Sequence, residues 1–130
     1  MVNTDGQFEF GLDDMQIIAG LTPRYLKTLA PLFEDSSLVF LDANLPPESI
    51  RAVFKLASAA GIPVCADPAT TALAPRLIPH LNEIYLLSAN GAEASVLCQS
   101  SSPPRTPDAA LEVARCLVNL GIEIAVIPIA

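Results

Sequence analysis

Short apolar runs that each end near an acid or an amide constrain the fold of this chain more than any other feature. The runs and the polar residues that follow them are residues 38–41 with Asp42, 62–66 with Asp67, and 84–87 with Asn90. Runs of this length between helix-like or turn-like segments are typical of strands buried in a parallel sheet. Because the carboxyl ends of parallel strands meet at one crevice where ligands bind, we expect these polar groups to form a ligand site.

Segments with helical spacing or helix-capping residues separate the apolar runs. Thr22-Pro23 is typical of a helix start, and Gly61 and Gly121 are typical of helix ends. Helices are predicted from Pro23 to about residue 34 and at about 47–60, 91–97 and 107–120, and strands at about 37–42, 62–66, 83–88 and 122–129. Residues 70–81 contain Pro75 and Pro79, which should divide this segment into short turns.

This alternation predicts an α/β fold, a three-layer sandwich around a mostly parallel sheet with right-handed crossovers. Asp5-Gly6 predicts a short β-hairpin over residues 1–12, ahead of an α/β core at 13–130 that contains a flexible loop at 99–107. Pro128 cannot donate a ladder hydrogen bond, so the last strand is not an ordinary interior strand. We therefore expect an uncovered sheet edge there, through which the protein could self-associate.

Composition and charge exclude several classes of function. The chain has 130 residues, 52% of them hydrophobic, yet no apolar run reaches the length of about 18 residues that spans a bilayer. The polar first residues lack the basic stretch of a signal peptide, so we expect a cytoplasmic protein with no membrane partner. A net charge of −7 leaves no basic face for phosphate backbones, which argues against binding to nucleic acid.

The cysteines give no metal motif. Cys65, Cys98 and Cys116 are widely spaced, no C-x-x-C pair exists, and His80 is the single histidine. The pattern therefore argues against structural zinc and predicts buried free thiols in a reducing compartment. We expect His80 to be structural or exposed.

The spacing of Asn90 and Glu93 has a structural and a functional interpretation. An amide at a helix N-cap and a carboxylate three residues later form a capping box, in which each side chain binds a backbone N–H of the first turn. The same position at the edge of the sheet suits water-mediated binding of Mg²⁺ beside phosphates. The two interpretations are compatible.

Asp42, Asn44 and Asp67 also admit structural and ligand-binding roles. Asp42 and Asn44 would cap the helix near residue 47 or contact a ligand, and Asp67 before Pro68 would form a local turn or face the same edge. The sequence contains no G-x-S-x-G, H-E-x-x-H, P-loop or G-x-G-x-x-G motif. The residues alone therefore predict an α/β domain with a polar edge compatible with Mg²⁺.

The order of these motifs resembles the PfkB (ribokinase-like) family of sugar and nucleoside kinases. Residues 66–71 contain an Asp-Pro turn, and residues 86–94 contain an N-x-x-E motif, in the order typical of the central region of that family. Residues 42–46, 12–15 and 21–23 are most similar to the pseudouridine-kinase branch.

The resemblance covers most of residues 5–127 and implies a ribokinase-like (Rossmann-like) sheet and an ATP- and Mg²⁺-dependent kinase. Asn90 and Glu93 would bind the cofactor, placing Mg²⁺ through water and the ATP phosphates, and Asp42, Asn44 and Asp67 would lie at the substrate and phosphate end. The reaction would transfer the γ-phosphoryl group to a hydroxyl of a sugar or nucleoside, such as pseudouridine or ribose.

Departures from the family pattern limit what the chain is expected to do. The glycine-rich sugar-binding segment and the D-T-x-G-A-G-D segment with the catalytic base are missing, and Ala89 stands where a proline is expected. A lysine common between Asp67 and Arg76 in the branch is also missing. We therefore expect a partial domain with no catalytic residue of its own, inactive alone.

Two alternatives lie outside the kinase interpretation. One is a non-catalytic α/β binding or interaction module that uses its uncovered edge and apolar surplus to pair with another chain. The other is a receiver-like or flavodoxin-like domain. A receiver needs a lysine partner for its phospho-acceptor, and the sequence offers only Lys27 and Lys55.

Overall fold

Four short parallel strands form the centre of the part of the chain that the structure describes. A computed structural model of the chain describes residues 14–100 and 102–128; the predicted hairpin lies outside these residues. The strands are β1 (Val39–Asp42), β2 (Val64–Asp67), β3 (Ile84–Ser88) and β4 (Ile124–Val126). They pair in the order β1-β2-β3-β4, and every pair is parallel. The predicted α/β fold with a parallel sheet is confirmed.

The helices lie close to their predicted positions, except that the single helix predicted from Pro23 to about residue 34 is divided in two at Leu29. They are α1 (Pro23–Thr28), α2 (Ala30–Glu34), α3 (Pro47–Ala60), α4 (Gly91–Leu97) and α5 (Pro107–Asn119), with 3-10 helices at Met15–Gly20 and Ala74–Glu83. The proline-rich segment therefore forms one 3-10 helix, where a series of separate turns was predicted. β4 is shorter than the predicted strand at 122–129, since Pro128 has no N–H to continue the ladder.

Capping residues fix the helix ends as the sequence indicates. The hydroxyls of Thr22 and Thr106 accept hydrogen bonds from backbone N–H groups three residues later, at 3.2 Å in both cases. Gly61 and Gly121 both have positive φ, at 69° and 109°. After each glycine, an isoleucine N–H donates to the carbonyl five residues back, so the two helix-to-strand connections share one turn geometry.

The helices of the described residues pack on one face of the sheet. When consecutive strands are also spatial neighbours, right-handed crossovers place every connection on the same side. Leu41, Ala66 and Leu87 are register partners across the sheet and are all buried beneath these helices. α3 supplies much of the covering layer through Ile50, Val53 and Phe54, which are all buried.

The opposite face of the sheet carries exposed apolar side chains on β1 and β4, the two outer strands among the described residues. Phe40 on β1 is 59% exposed, and on β4 Ile124 and Val126 are 40% and 46% exposed. The described residues thus build two of the three predicted layers, in keeping with an incomplete domain. β4 is an edge strand, as predicted, with β3 as its single neighbour in the described part of the sheet.

His80 has a structural role, one of the two predicted for it. Its ring is buried and stacks on Phe54, with a centroid separation of 4.4 Å. Its Nδ1 lies 2.7 Å from Oε1 of Glu83. The ring therefore helps attach the 3-10 helix at Ala74–Glu83 to α3.

The prediction that all three cysteines are free is wrong. Cys98 and Cys116 form a disulfide between the end of α4 and the last turn of α5, with Cα atoms 6.2 Å apart. Cys65 on β2 is free and buried, as predicted. The error arose because the packing of α4 on α5 brings together two residues that are 18 positions apart in the sequence.

No helix within residues 14–100 and 102–128 combines the length and apolar character required to cross a bilayer.

Replacement of Gly121 by alanine should destabilise the fold more than the same change at Gly20 or Gly61. A Cβ at Gly121 would lie 2.7 Å from Cα and Cβ of Asn82 and would also require positive φ, so we expect a loss of about 2 kcal/mol or more. A Cβ at Gly61 would meet open space, but φ there is 69°, so we expect Gly61→Ala to lower the free energy of unfolding by about 1 kcal/mol. Urea unfolding gives the free energy of unfolding of both variants.

Gly20→Ala is the matched control, because its Cβ meets no atom within 4 Å and its φ lies outside the positive range. We expect its stability to be close to that of the unchanged protein. Equal stability of the Gly20 and Gly121 variants would contradict the close approach of residue 121 to Asn82.

Candidate functional site

The carboxyl ends of the strands place the predicted site residues along one edge of the sheet. Asp42 and Asp67 are register partners at the ends of β1 and β2. Ser88 ends β3, and Asn90 follows two residues later at the start of α4. Since neighbouring strands are about 4.8 Å apart, these side chains occupy successive positions along one polar edge.

Asp42 and Asp67 each stabilise the turn that leaves their strand. Oδ1 of Asp42 accepts a hydrogen bond from the N–H of Asn44 at 2.8 Å, and Oδ1 of Asp67 accepts one from Ala69 at 2.7 Å. The predicted local turn at Asp67 is therefore present. Neither Asp42 nor Asn44 caps α3, whose N-cap is Pro46 without a side-chain hydrogen bond, so that structural alternative is wrong.

Arg76 holds the loop after β1, a role that was not predicted from the sequence. Its Nη1 donates to the carbonyls of Ala43, Asn44 and Leu45, at 3.1, 3.2 and 3.0 Å. The guanidinium thus fixes the backbone that follows Asp42 at the end of β1. Its partners lie 31 to 33 residues earlier in the chain, and the single available signal was a lone arginine in an apolar, proline-rich segment.

Asn90 and Glu93 form the predicted capping box. Oδ1 of Asn90 accepts from the N–H groups of Ala92 and Glu93, at 2.9 and 3.0 Å. Oε2 of Glu93 accepts from the N–H of Asn90 at 3.0 Å, and the Glu93 side chain is buried. The structural interpretation of this pair is therefore correct.

The capping box limits how this pair could hold a metal. Both lone pairs of the Asn90 amide oxygen are used by backbone donors, which leaves its NH₂ group as a donor. Glu93 retains one carboxylate oxygen, Oε1, outside the cap. Within the described ranges no three His, Cys, Asp or Glu side chains cluster as metal ligands. These atoms fit water-mediated contact with Mg²⁺, the mode predicted for them, and do not form a direct coordination sphere.

A cavity of about 310 Å³ lies beside the capping box. It is lined by Asn90 and Gly91 on one side and by Pro103, Pro104 and Arg105 on the other. A Cβ at Gly91 would approach Cγ of Pro104 to 2.9 Å, so glycine permits the segment at 102–106 to lie close to α4. The exposed Arg105, which the sequence did not single out, brings a positive charge to this cavity.

The chain is similar in sequence to a characterised kinase, although no protein-family model matches it. Pseudouridine kinase of Escherichia coli (strain K12) is 26% identical to it over 97 residues. Those residues are 75% of this chain and 30% of the kinase.

Solved structures give the same relationship. A carbohydrate kinase from Agrobacterium tumefaciens matches 98% of this chain with a TM-score of 0.75 and 27% identity, using 39% of its own length. Ribokinase from Arabidopsis thaliana, solved with ribose and ATP, matches 77% of this chain with a TM-score of 0.61 and 22% identity. This chain spans about 30 to 40% of the length of these relatives.

These matches confirm the resemblance to the PfkB (ribokinase-like) family and its fold. They also confirm that the resemblance covers only part of such a kinase. The roles of Asn90, Glu93, Asp42, Asn44 and Asp67 in binding stay predictions.

Removal of the Arg76 guanidinium should destabilise the loop after β1. Arg76→Met keeps the length of the side chain but leaves three carbonyls without their charged donor, so we expect a loss of about 2 kcal/mol. Arg76→Lys keeps one charge and should lose less. Urea unfolding measures the stability, with Arg115→Met on α5 as the control, since no hydrogen bond of the Arg115 side chain is found among the described residues.

Proposed function

We propose that this chain is part of a PfkB-type kinase domain and forms the edge that faces ATP and Mg²⁺. The observation that carries the proposal is the capping box of Asn90 and Glu93, beside a cavity at the carboxyl edge of a parallel sheet. The partial domain would comprise residues 1–130, with the remaining segments supplied by further chain. An ATP-dependent reaction on a small metabolite suits the cytoplasm, which is the compartment we propose.

Each residue of this edge has a defined task in the proposal. Bound Mg²⁺ would neutralise charge on the phosphates during transfer. Glu93 would orient metal-bound water through Oε1, because its other oxygen is held by the cap. The Asn90 NH₂ group and Arg105 would donate to phosphate oxygens in the adjacent cavity.

The other strand ends would serve the acceptor. The free carboxylate oxygens of Asp42 and Asp67, with Asn44, lie along the same edge and would face the phosphate and substrate end. The acceptor class we propose is a hydroxyl of a sugar or nucleoside, pseudouridine or a ribose-like compound. No residue of this chain is assigned as the base that takes the hydroxyl proton, so the chain alone would not turn over.

Replacement of Glu93 by glutamine tests the proposal. Glutamine can still accept from the N–H of Asn90 and keep α4 intact, but it carries no charge toward metal-bound water. We expect the unchanged chain to bind Mg·ATP and Glu93→Gln to bind it about fivefold to tenfold more weakly. Isothermal titration calorimetry gives both affinities, and circular dichroism monitors the fold.

Glu34→Gln on α2 removes a carboxylate far from the edge and should leave Mg·ATP binding unchanged. A lack of Mg·ATP binding by the unchanged chain would count against the proposal. Incubation with ATP, Mg²⁺ and pseudouridine or ribose should yield no phosphorylated product. Turnover would show that the catalytic base lies within these 130 residues.

Exposed apolar side chains on the described strands favour a second candidate function, a non-catalytic interaction module that pairs with a second copy of itself. Leu38, Phe40, Tyr85, Ile124 and Val126 are large apolar residues that are 39 to 59% exposed on or beside the strands. Two such faces packed together would remove these side chains from water, as in a β-sandwich. The adjoining edge of β4 offers further backbone pairing.

Phe40→Ser should reduce self-association if this second function holds. Phe40 is 59% exposed on the sheet face, whereas Leu32 is 61% exposed on α2, so Leu32→Ser removes similar apolar exposure elsewhere. Light scattering coupled to size exclusion should find concentration-dependent dimers for the unchanged chain and Leu32→Ser, and fewer for Phe40→Ser. A monomer for all three at high concentration would exclude this function.

A further inference from the structure

The disulfide joins two elements whose other ends form the candidate site. Cys98 is the residue that ends α4, and Cys116 lies in the last turn of α5. Their Cα atoms are 6.2 Å apart, within the range that a disulfide spans without backbone movement. The bond closes a loop that includes the segment 102–106 beside the capping box.

The structure contains the oxidised pair, and the surroundings of Cys98 offer a hydrogen-bond acceptor to a reduced thiol. Sγ of Cys98 lies 3.6 Å from the carbonyl oxygen of Val113, so a reduced thiol at this position has an acceptor. Cys98 and Cys116 are half-buried, and small reagents can reach them, whereas Cys65 is buried in the sheet. The environment therefore distinguishes the pair from the third cysteine.

The pair is connected to the cavity through the segment 102–106. The Ser95 hydroxyl on α4 lies within hydrogen-bond distance of two carbonyls, that of Gly91 in its own helix at 2.8 Å and that of Ser102 at 3.1 Å. Pro104 packs against Gly91. Gln99, next to Cys98, has φ 54°, a conformation that non-glycine residues adopt when surrounding structure imposes it. One end of α4 thus carries the disulfide, and the other end is covered by the chain that the disulfide constrains.

We propose that Cys98 and Cys116 are a reversible thiol–disulfide pair that holds the segment 102–106 against the start of α4. Oxidation proceeds by exchange with a small-molecule disulfide such as oxidised glutathione. One cysteine thiolate attacks that disulfide and releases one thiol, and the second cysteine then displaces the other. The protein loses two protons and two electrons, and the reagent disulfide is reduced to two thiols.

Oxidation holds the segment 102–106 against the start of α4, and reduction removes this constraint. If the cavity binds phosphate groups, an extension that rests on the proposed function, the oxidised form binds Mg·ATP more tightly. Transient disulfides of this kind occur as redox sensors in reducing compartments.

Thiol mapping tests the pair directly in the full chain. The protein is equilibrated in glutathione buffers of graded ratio, alkylated, digested and analysed by mass spectrometry. We expect Cys98 and Cys116 to become protected together, with a loss of two hydrogens, and to return to thiols in excess reduced glutathione. The Cys65→Ser variant should behave identically. Independent titration of the two cysteines, or pairing of either with Cys65, would overturn the proposal.

Limited trypsin cleavage tests the effect on the segment. The peptide bond after the exposed Arg105 should be cut at least about fivefold faster in the reduced protein, whereas cleavage after Arg24 on α1 should not change. Cys98→Ser should match the reduced form in every buffer. Equal cleavage after Arg105 in both states would overturn the inference, while absence of Mg·ATP binding in both states would instead contradict the proposed function.

Discussion

The parallel ladder of the four strands is the constraint on which the rest of the structure depends. Each strand must run in the same direction as its neighbour, so the chain returns across one face before every new strand. The helices and the 3-10 helix at Ala74–Glu83 form these connections, and they bury the side chains on one face of the sheet. The same constraint places Asp42, Asp67 and Ser88 at one edge. The parallel arrangement of the strands therefore determines the position of both the core and the candidate site.

Local features of the structure were predictable from the sequence. The helix starts at Thr22 and Thr106, the helix end at Gly61 and the capping box of Asn90 each depend on residues within five positions. Features that depend on tertiary packing were not predictable. Arg76 binds carbonyls more than 30 residues away, and the cysteine pair and the one-sided arrangement of helices both require the order of the strands. The spacing of residues along the sequence does not indicate which distant residues come into contact.

In the proposed function, the Asn90–Glu93 capping box would serve stability and binding with different atoms of the same two side chains. Oδ1 of Asn90 and Oε2 of Glu93 are committed to the backbone of α4. The Asn90 NH₂ group and Oε1 of Glu93 stay available, and they point to different ligand chemistries, a donor for phosphate and an acceptor for metal-bound water. Sequence spacing identifies the pair but cannot separate the two sets of atoms.

The order of the strands also bears on how the chain reaches its structure. Val39 pairs with Val64 and Val64 with Ile84, whereas Leu86 pairs with Ile124, so the last closure spans the longest stretch of chain. Loop-closure entropy disfavours that final step relative to the β2–β3 closure by about 0.6 kcal/mol. Strands emerging from a ribosome would meet their neighbours in the order of synthesis. A chain built this way can assemble its first three strands while α5 and β4 are still being made.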